Sequence, residues 1–522
     1  MRAVLLIGCL AACTTGGSLE LNLQLPDNPE LRPANASRVT LTLSSPNTGP
    51  VQLTSALSSD GSFSFGELPE ARDQQLSIEL RSDANQIVGL GHALEPVDLV
   101  KGSTQQVTIP VRRPLLFATT DSRFVSYDPA HDPRDDRFQT SVPVAATSLV
   151  AVDGVTLVAG GMGEVTLIDT ATMKESGTIE LQTLTAVTDL ARVPGRNLVV
   201  AGHGEGLSII DLDSKTATPV LGSAIDRVAV GTRQGHTMAY GLVGRVDPTN
   251  TAACSGSSIV AIDLEAPVPT SPVSIGHALS SIAAADDALF GAQPCDGIVS
   301  QIELDGTATQ IAKLPRAAAL RVLDRRLFAV GNQISTAVCE ANGASVPCTA
   351  SAATTCPTSS ALHVSYVSTG SRLWLQIIPL PVGATPAQSV VLTELRETVV
   401  SSDDPSQQHA QVLHPLDVIP YDLAVMEGGQ FVGILARSRY FIEELSDSFQ
   451  VILPCMSVTS SSWMLMDVAS ISVADRIRTK CTALVSSGAF FANWTCADPP
   501  LGEQSTLGEY EATRASALFE TR

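Results

Sequence analysis

Residues 19–111 alternate apolar and polar positions in short runs. Leu19, Leu21, Leu23 and Leu25 fall on one face, as do Val39, Leu41 and Leu43, then Leu76, Ile78 and Leu80, then Val107, Ile109 and Val111. A period of two predicts half-buried strands, because successive side chains of a strand point to opposite faces. Turn-forming pieces such as "SPNTG" and "SSDGS" separate the runs. About seven short strands in roughly ninety residues predict a β-sandwich.

From residue 115 the rhythm changes. Three segments align without gaps: "LFATTDSRFVSYD" (116–128), "LVAGGMGEVTLID" (157–169) and "VVAGHGEGLSIID" (199–211). The third position is always alanine and the last is Asp128, Asp169 or Asp211. Self-similarity at about 40–45 residues predicts propeller blades of four strands each. "TSLVAV", "VTLVAG", "EVTLID" and "ESGTIEL" read as the four strands of one blade. Later blades are degraded: "HTMAYGL" with "SSIVAIDL" ends on Asp263, "DALFGAQ" with "SQIEL" puts Glu303 in the same place, and "RRLFAVGNQ" starts another, to be completed by "ALHVSYVS" and "RLWLQIIPL". "YDLAVMEGGQFVGILARS" begins the last. The expectation is an all-β chain with a sandwich followed by a propeller of seven blades, six and eight remaining alternatives.

The segment "TLVAGGMGEVTLIDTATMKESGTIEL" resembles the YVTN-type propeller repeat, and "VVAGHGEGLSIIDLDSKTATPV" resembles the related LVIVD-type repeat. That resemblance covers residues 115–305 and implies a propeller of the cell envelope or surface, without one shared activity. "SDGSFSFGELPEA" resembles transthyretin-like and carboxypeptidase-regulatory-like sandwich modules, which implies a spacer or adhesion unit.

The repeat decides how the glycines of "VVAGHGEGLSIID" are read. A phosphate-binding G-x-G-x-x-G must open a helix. Here the spacing is G-x-G-x-G and "LSIID" is a strand, so the glycines are expected to serve a tight hairpin that needs positive φ. The recurring aspartates at the end of the third strand are expected to accept backbone N–H bonds in the turn that follows. Turns between second and third strands emerge on one face. This places His203 and Glu205 on an exposed rim, with Met162, Thr120 and Asp121. The insertion "VGRVDPTNTAACSGS" (243–257) extends that turn in the next blade and carries Arg245 and Asp247; "AQPCDG" does so in the blade after and carries Asp296. These residues are the candidate binding rim, since loops on a rigid scaffold carry function.

The N-terminus "MRAVLLIGCLAAC" has one cation, a short apolar run and small residues before a cut, the pattern of a secretory signal. Leu10-Ala11-Ala12-Cys13 resembles a bacterial lipobox, which implies lipidation of Cys13 and, with Thr14 following, sorting to the outer membrane. The expected order is a signal at 1–12, an anchored linker at 13–18, the sandwich at 19–112, the propeller at 113–500 and a tail or propeller-closing strand at 501–522. Acidic residues number 53 against 32 basic ones, a formal charge of −21, which argues against nucleic acid and against electrostatic attachment to anionic lipid. Eight cysteines lie beyond the signal: Cys254, Cys295, Cys339, Cys348, Cys356, Cys455, Cys481 and Cys496. An even number in an exported chain favours disulfides, and no pair has C-x-x-C spacing. Cys254 and Cys295 occupy equivalent turns of neighbouring blades and are expected to pair. Cys339 would close a small loop with Cys348 or Cys356, and Cys481 with Cys496.

Catalytic motifs are missing: no G-x-S-x-G elbow, H-E-x-x-H or Walker loop occurs, and the eight histidines show no helical metal spacing. "DPAHDPRDDR" (128–137) reads as a solvated connector and not a calcium loop. Aromatic residues are 4% of the chain, too few for stacked sugar platforms. No catalytic residue, metal or cofactor is expected. The function expected is a lipid-anchored, non-catalytic binding or scaffold module for an unidentified envelope ligand; the alternative is a lactonase-like or other hydrolase with its site at the channel mouth.

Overall fold

The computed structural model describes residues 17–485 and 512–517, apart from 26–31, 128–140, 348–364, 401–409, 446–455, 468–471 and shorter stretches in connecting turns. Among the described residues every regular element is a strand. No described helix is long and apolar enough to cross a membrane. The chain divides into two compact units, Met1–Pro114 and Leu115–Arg522.

In the first unit the strands follow one hydrogen-bonded path: Thr48–Ala56, Ala36–Ser45, Ala71–Ser82, Ile87–His92, Thr104–Arg112, Gly17–Gln24 and Ser62–Leu68, with Val97–Leu99 beside Ala71–Ser82. Gly17–Gln24 runs parallel to Thr104–Arg112; the other pairs are antiparallel. The alternating positions form its core. Leu19, Leu21, Val39, Leu41, Leu43, Leu76, Ile78, Leu80, Ile109 and Val111 are all buried. Burial fades along the first strand, and Leu25 is exposed.

The second unit is a succession of antiparallel sheets. The first combines Leu116–Thr120, Phe124–Tyr127 and Ser141–Val142 with Ala512–Ala517. The second runs from Ser148–Ala151 to Lys174–Glu180, the third from Val187–Arg192 to Thr216–Leu221 and the fourth from Arg227–Arg233 to Val273–Ser274. The fifth runs from Ser281–Ala285 to Ala308–Lys313. The sixth joins Ala319–Leu323, Arg326–Gln333, Ser371–Pro379 and Gln388–Glu394, and the seventh spans Glu397–Val400 to Ser472–Val485. Among the described residues, seven strands, one from each of these sheets, lie side by side in a closed ring: Ser148–Ala151, Val187–Arg192, Arg227–Arg233, Ser281–Ala285, Ala319–Leu323, Ala410–Val425 and Ala512–Ala517. Radial antiparallel sheets of four or five strands around a ring of inner strands make this unit a β-propeller.

The second strands are apolar on both faces because each sheet is covered by its neighbours on either side. Five of the six residues of Leu198–His203 are buried, and the sixth is half-buried. Val150, Val158 and Leu167 of the second sheet share a core with Val199, Ala201 and Ile210 of the third. The strand Ser371–Pro379 completes the sixth sheet as expected. "ALHVSYVS" does not: Ser365–Val367 pairs with Val338–Ala341 in a separate small sheet within the insertion 334–370.

Candidate functional site

The hairpin 199–211 forms as the repeat predicts. Leu198–His203 pairs with Gly206–Asp211 across a two-residue turn, Gly204–Glu205, and Gly206 takes φ 133°. The first glycine has a different task. A Cβ on Gly202 would lie 2.8 Å from Val228 Cγ2 and 2.9 Å from Ile225 Cγ2 of the next blade. The aligned Gly160 meets Val187 of its own next blade in the same way. These glycines let consecutive blades approach; of the three in 199–211 only Gly206 takes the expected positive φ.

His203 is not on an exposed rim. It is fully buried, which corrects the expectation. The Glu205 N–H donates to its Nδ1 (3.3 Å), and Nε2 lies 3.0 Å from Ser208 Oγ. With Nδ1 accepting, the proton sits on Nε2 and Ser208 accepts it. Burial pushes the imidazole below the usual histidine range, against smaller opposing effects of the Leu207 backbone and the Glu205 carboxylate. The fifth blade repeats the device with other residues: buried Gln293 donates through Nε2 to Ser300 Oγ at 2.8 Å. His203 therefore ties two strands together beneath a turn.

The rim turns of the second to fifth blades are latched to the crossovers that lead into the next blade. Gly163 N–H donates to Thr185 O (3.0 Å), Gly222 N–H to Glu205 O (3.0 Å), Ile275 N–H to Ser257 O (2.9 Å) and Leu314 N–H to Gly297 O (2.9 Å). A disulfide joins Cys254 to Cys295 across adjacent turns, with Cα atoms 6.2 Å apart, as expected from their positions in the repeat. Glu205, Met162, Asp247 and Asp296 are exposed on these turns, Met162 at 70%, and Leu184 beside it at 89%. Asp296 lies 2.9 Å from His277 Nδ1. Asp121 and Cys13 lie outside the described residues, as do Cys348, Cys356, Cys455, Cys496 and the connector 128–137. Cys339 and Cys481 lie on strands whose backbone alone is described, so the other expected disulfides also fall outside.

The inner strands bring charge together at this end of the ring. Asp189, from the third blade, accepts Val228 N–H at 3.0 Å and faces Arg227 Nη1 at 3.8 Å; both side chains are buried. Half-buried Arg245 donates from Nε to Ser280 O (2.9 Å), while its N–H and that of Gly244 donate to Asp226 Oδ2. Arg321 Nη2 approaches Asp422 Oδ1 at 3.5 Å, and that oxygen accepts Leu423 N–H. Burial, then the neighbouring Arg227 charge, lower Arg245 to about 10, against Asp247, Asp189 and Asp422. Groups from the third, fourth, fifth and seventh blades thus act on Arg245, and Arg321 of the sixth pairs with Asp422. Sequence reading included Arg245 but missed its partners, single residues on or just before inner strands of its own and other blades.

The repeated aspartates act as turn acceptors. Asp211 accepts the N–H groups of Asp213 (3.0 Å) and Ser214 (2.9 Å), and Asp263 accepts that of Glu265 (2.9 Å). The Ser214 amide foremost holds the Asp211 carboxyl below the usual range.

No family model matches the chain, and no curated protein matches it. Among solved structures it is similar to Kuenenia stuttgartiensis hydrazine synthase (14% identity, TM-score 0.36, covering 57% of this chain and 76% of that one). It is similar also to the dihydro-heme d1 dehydrogenase NirN in complex with DHE (13%, TM-score 0.33, 70% and 73%) and to BamB from Moraxella catarrhalis (13%, TM-score 0.31, 49% and 76%). Likenesses this distant carry nothing about activity, and the propeller assignment rests on the strand order and the closed ring.

Proposed function

We propose that this chain is a bacterial envelope lipoprotein, anchored at Cys13, whose β-sandwich carries a seven-bladed propeller acting as a non-catalytic binding module. Its ligand-facing end is the rim where Cys254–Cys295 joins the extended turns of two blades. That cross-link is the observation that carries the reading: it holds long loops rigid around the charged ring mouth instead of letting them move freely. The carboxylates there support a non-catalytic role. Asp189 is engaged by Val228 N–H and Arg227, and Asp226 by two backbone N–H groups, which suits positioning of strands and not proton transfer.

Two experiments test this. Cys13→Ser should move the protein from the membrane to the soluble fraction; continued membrane attachment refutes the anchor. For binding, the full chain with Met162→Ser and Glu205→Lys is compared with an Arg233→Ser control, altered at the opposite end of a blade. An envelope component cross-linked to the unaltered chain and the control should be lost from the rim variant. Equal capture by all three refutes the rim as the binding face.

A further inference from the structure

The fourth blade carries a second polar cluster, at the opposite end of its sheet from the disulfide. The strand His236–Val243 begins there and Ser258–Asp263 ends there. Leu264 N–H donates to Thr237 O at 2.9 Å, which fixes the two chain segments side by side. Glu265 N–H donates to Asp263 Oδ1, leaving Oδ2 to face His236 Nδ1 at 3.0 Å. Glu265 Oε2 approaches the same nitrogen at 3.6 Å. The three ligand atoms all lie within 4.8 Å of one another.

An ion pair needs one carboxylate for one imidazole. Here two converge on a single nitrogen, one more than an ion pair uses. The repeat shows which parts of this arrangement are common property and which are not. Asp263 is a turn acceptor of the kind Asp211 provides in the third blade. Arg196 stands in the third blade where His236 stands here, and the corresponding pair of acidic residues is Asp211 and Asp213. In the second blade the same places hold Gly154 and Ala171. Among these three blades only the fourth adds an imidazole to two carboxylates.

The spacing suits a small divalent ion. Nitrogen and oxygen ligands sit about 2.0–2.2 Å from zinc, so neighbouring ligand atoms of a tetrahedral site are about 3.3–3.6 Å apart. The two distances to His236 Nδ1 are close to this, and a small rotation of the exposed Glu265 side chain completes it. Mixed imidazole and carboxylate donors favour a transition metal over calcium or magnesium, which take oxygen donors. We propose that His236, Asp263 and Glu265 form a three-ligand site for a divalent transition-metal ion of the zinc class, with its remaining positions open to water or to an incoming ligand.

The test uses the full chain after removal of metal by chelation, titrated calorimetrically with Zn2+ and spectroscopically with Co2+. A site without cysteine should give Co2+ d–d absorption and no thiolate charge-transfer band. His236→Ala should weaken binding roughly tenfold or more, and Glu265→Gln should weaken it less. Both residues are exposed, and thermal melts should show both variants folded. His277→Ala, which removes the two-membered His277–Asp296 contact at the other end, should leave the titration unchanged. Absence of Zn2+ and Co2+ binding by the unaltered chain overturns the proposal. So does an affinity that neither His236→Ala nor Glu265→Gln alters.

Discussion

A fully buried imidazole with both ring nitrogens engaged must stay neutral to keep its place. Protonating His203 would set a new N–H against the Glu205 N–H it now accepts. Its proton affinity is lowered in the folded state, so the unfolded chain binds the proton more readily. Stability linked to this residue is therefore complete above the ordinary histidine value of about 6.5 and declines as pH falls below it, toward the lowered folded value. His203→Gln, which copies the Gln293–Ser300 pair, should keep stability near neutrality and show a smaller loss between pH 7.5 and pH 5 in urea unfolding midpoints. His203→Leu should cost about 1–3 kcal/mol at either pH, because Ser208 and the Glu205 amide lose their partner. An identical acid response in the Gln variant would refute this account. Sequence reading found the turn here but misplaced the side chain. The last residue of a second strand looks like a loop residue in a motif, yet the neighbouring blade covers it.

Successive elements are joined by a latch with its own periodicity. Thr147 Oγ1 donates to Val187 O, Thr188 Oγ1 to Ile225 O and Ser280 Oγ to Ala317 O, each from one inner strand to the start of the next. The following residue accepts from the next strand: Val228 N–H donates to Asp189 and Leu320 N–H to Ser281 Oγ. The dipeptides Thr188-Asp189 and Ser280-Ser281 thus encode the contact between blades, although sequence alone shows them only as polar residues before apolar runs. The strands themselves were legible, because continuous apolar runs at a 41–42-residue offset have few other readings. The latches were not, because each bond spans nearly a full repeat. Thr188→Val should cost about 0.5–1.5 kcal/mol, the net worth of one hydrogen bond. Asp189→Ala should cost about 3–5 kcal/mol, since it leaves buried Arg227 without its counter-charge and Val228 N–H without an acceptor. Gly202→Ala should cost about 1–3 kcal/mol by forcing Val228 and Ile225 of the next blade outward. Chemical unfolding ranks the three. If Thr188→Val proves the most damaging, the latch is misassigned.

At the scale of the whole propeller, closure depends on one strand. Ala512–Ala517 pairs with Leu116–Thr120 and lies between the inner strands Ala410–Val425 and Ser148–Ala151. Without it the first sheet would keep only strands from its own neighbourhood in sequence, and the ring would have a gap with two unpartnered flanks. An open ring presents apolar inner faces and a free edge at Leu116–Thr120, a template for pairing with another chain. Deleting residues 505–522 should therefore lower the melting temperature, broaden the transition and produce soluble oligomers in size-exclusion chromatography. A synthetic peptide covering residues 508–520 should restore the sharp transition when added in excess, since it binds only the folded ring. A disulfide between blades four and five cannot compensate, because Cys254–Cys295 lies away from the gap. Cys254→Ser with Cys295→Ser should instead cost about 2–4 kcal/mol, the worth of closing a loop of this length, while leaving the chain monomeric. The two lesions thus separate by their products. If the shortened chain stays monomeric with an unchanged melting curve, the seventh and second blades are held together by their own contacts and the closing strand is dispensable.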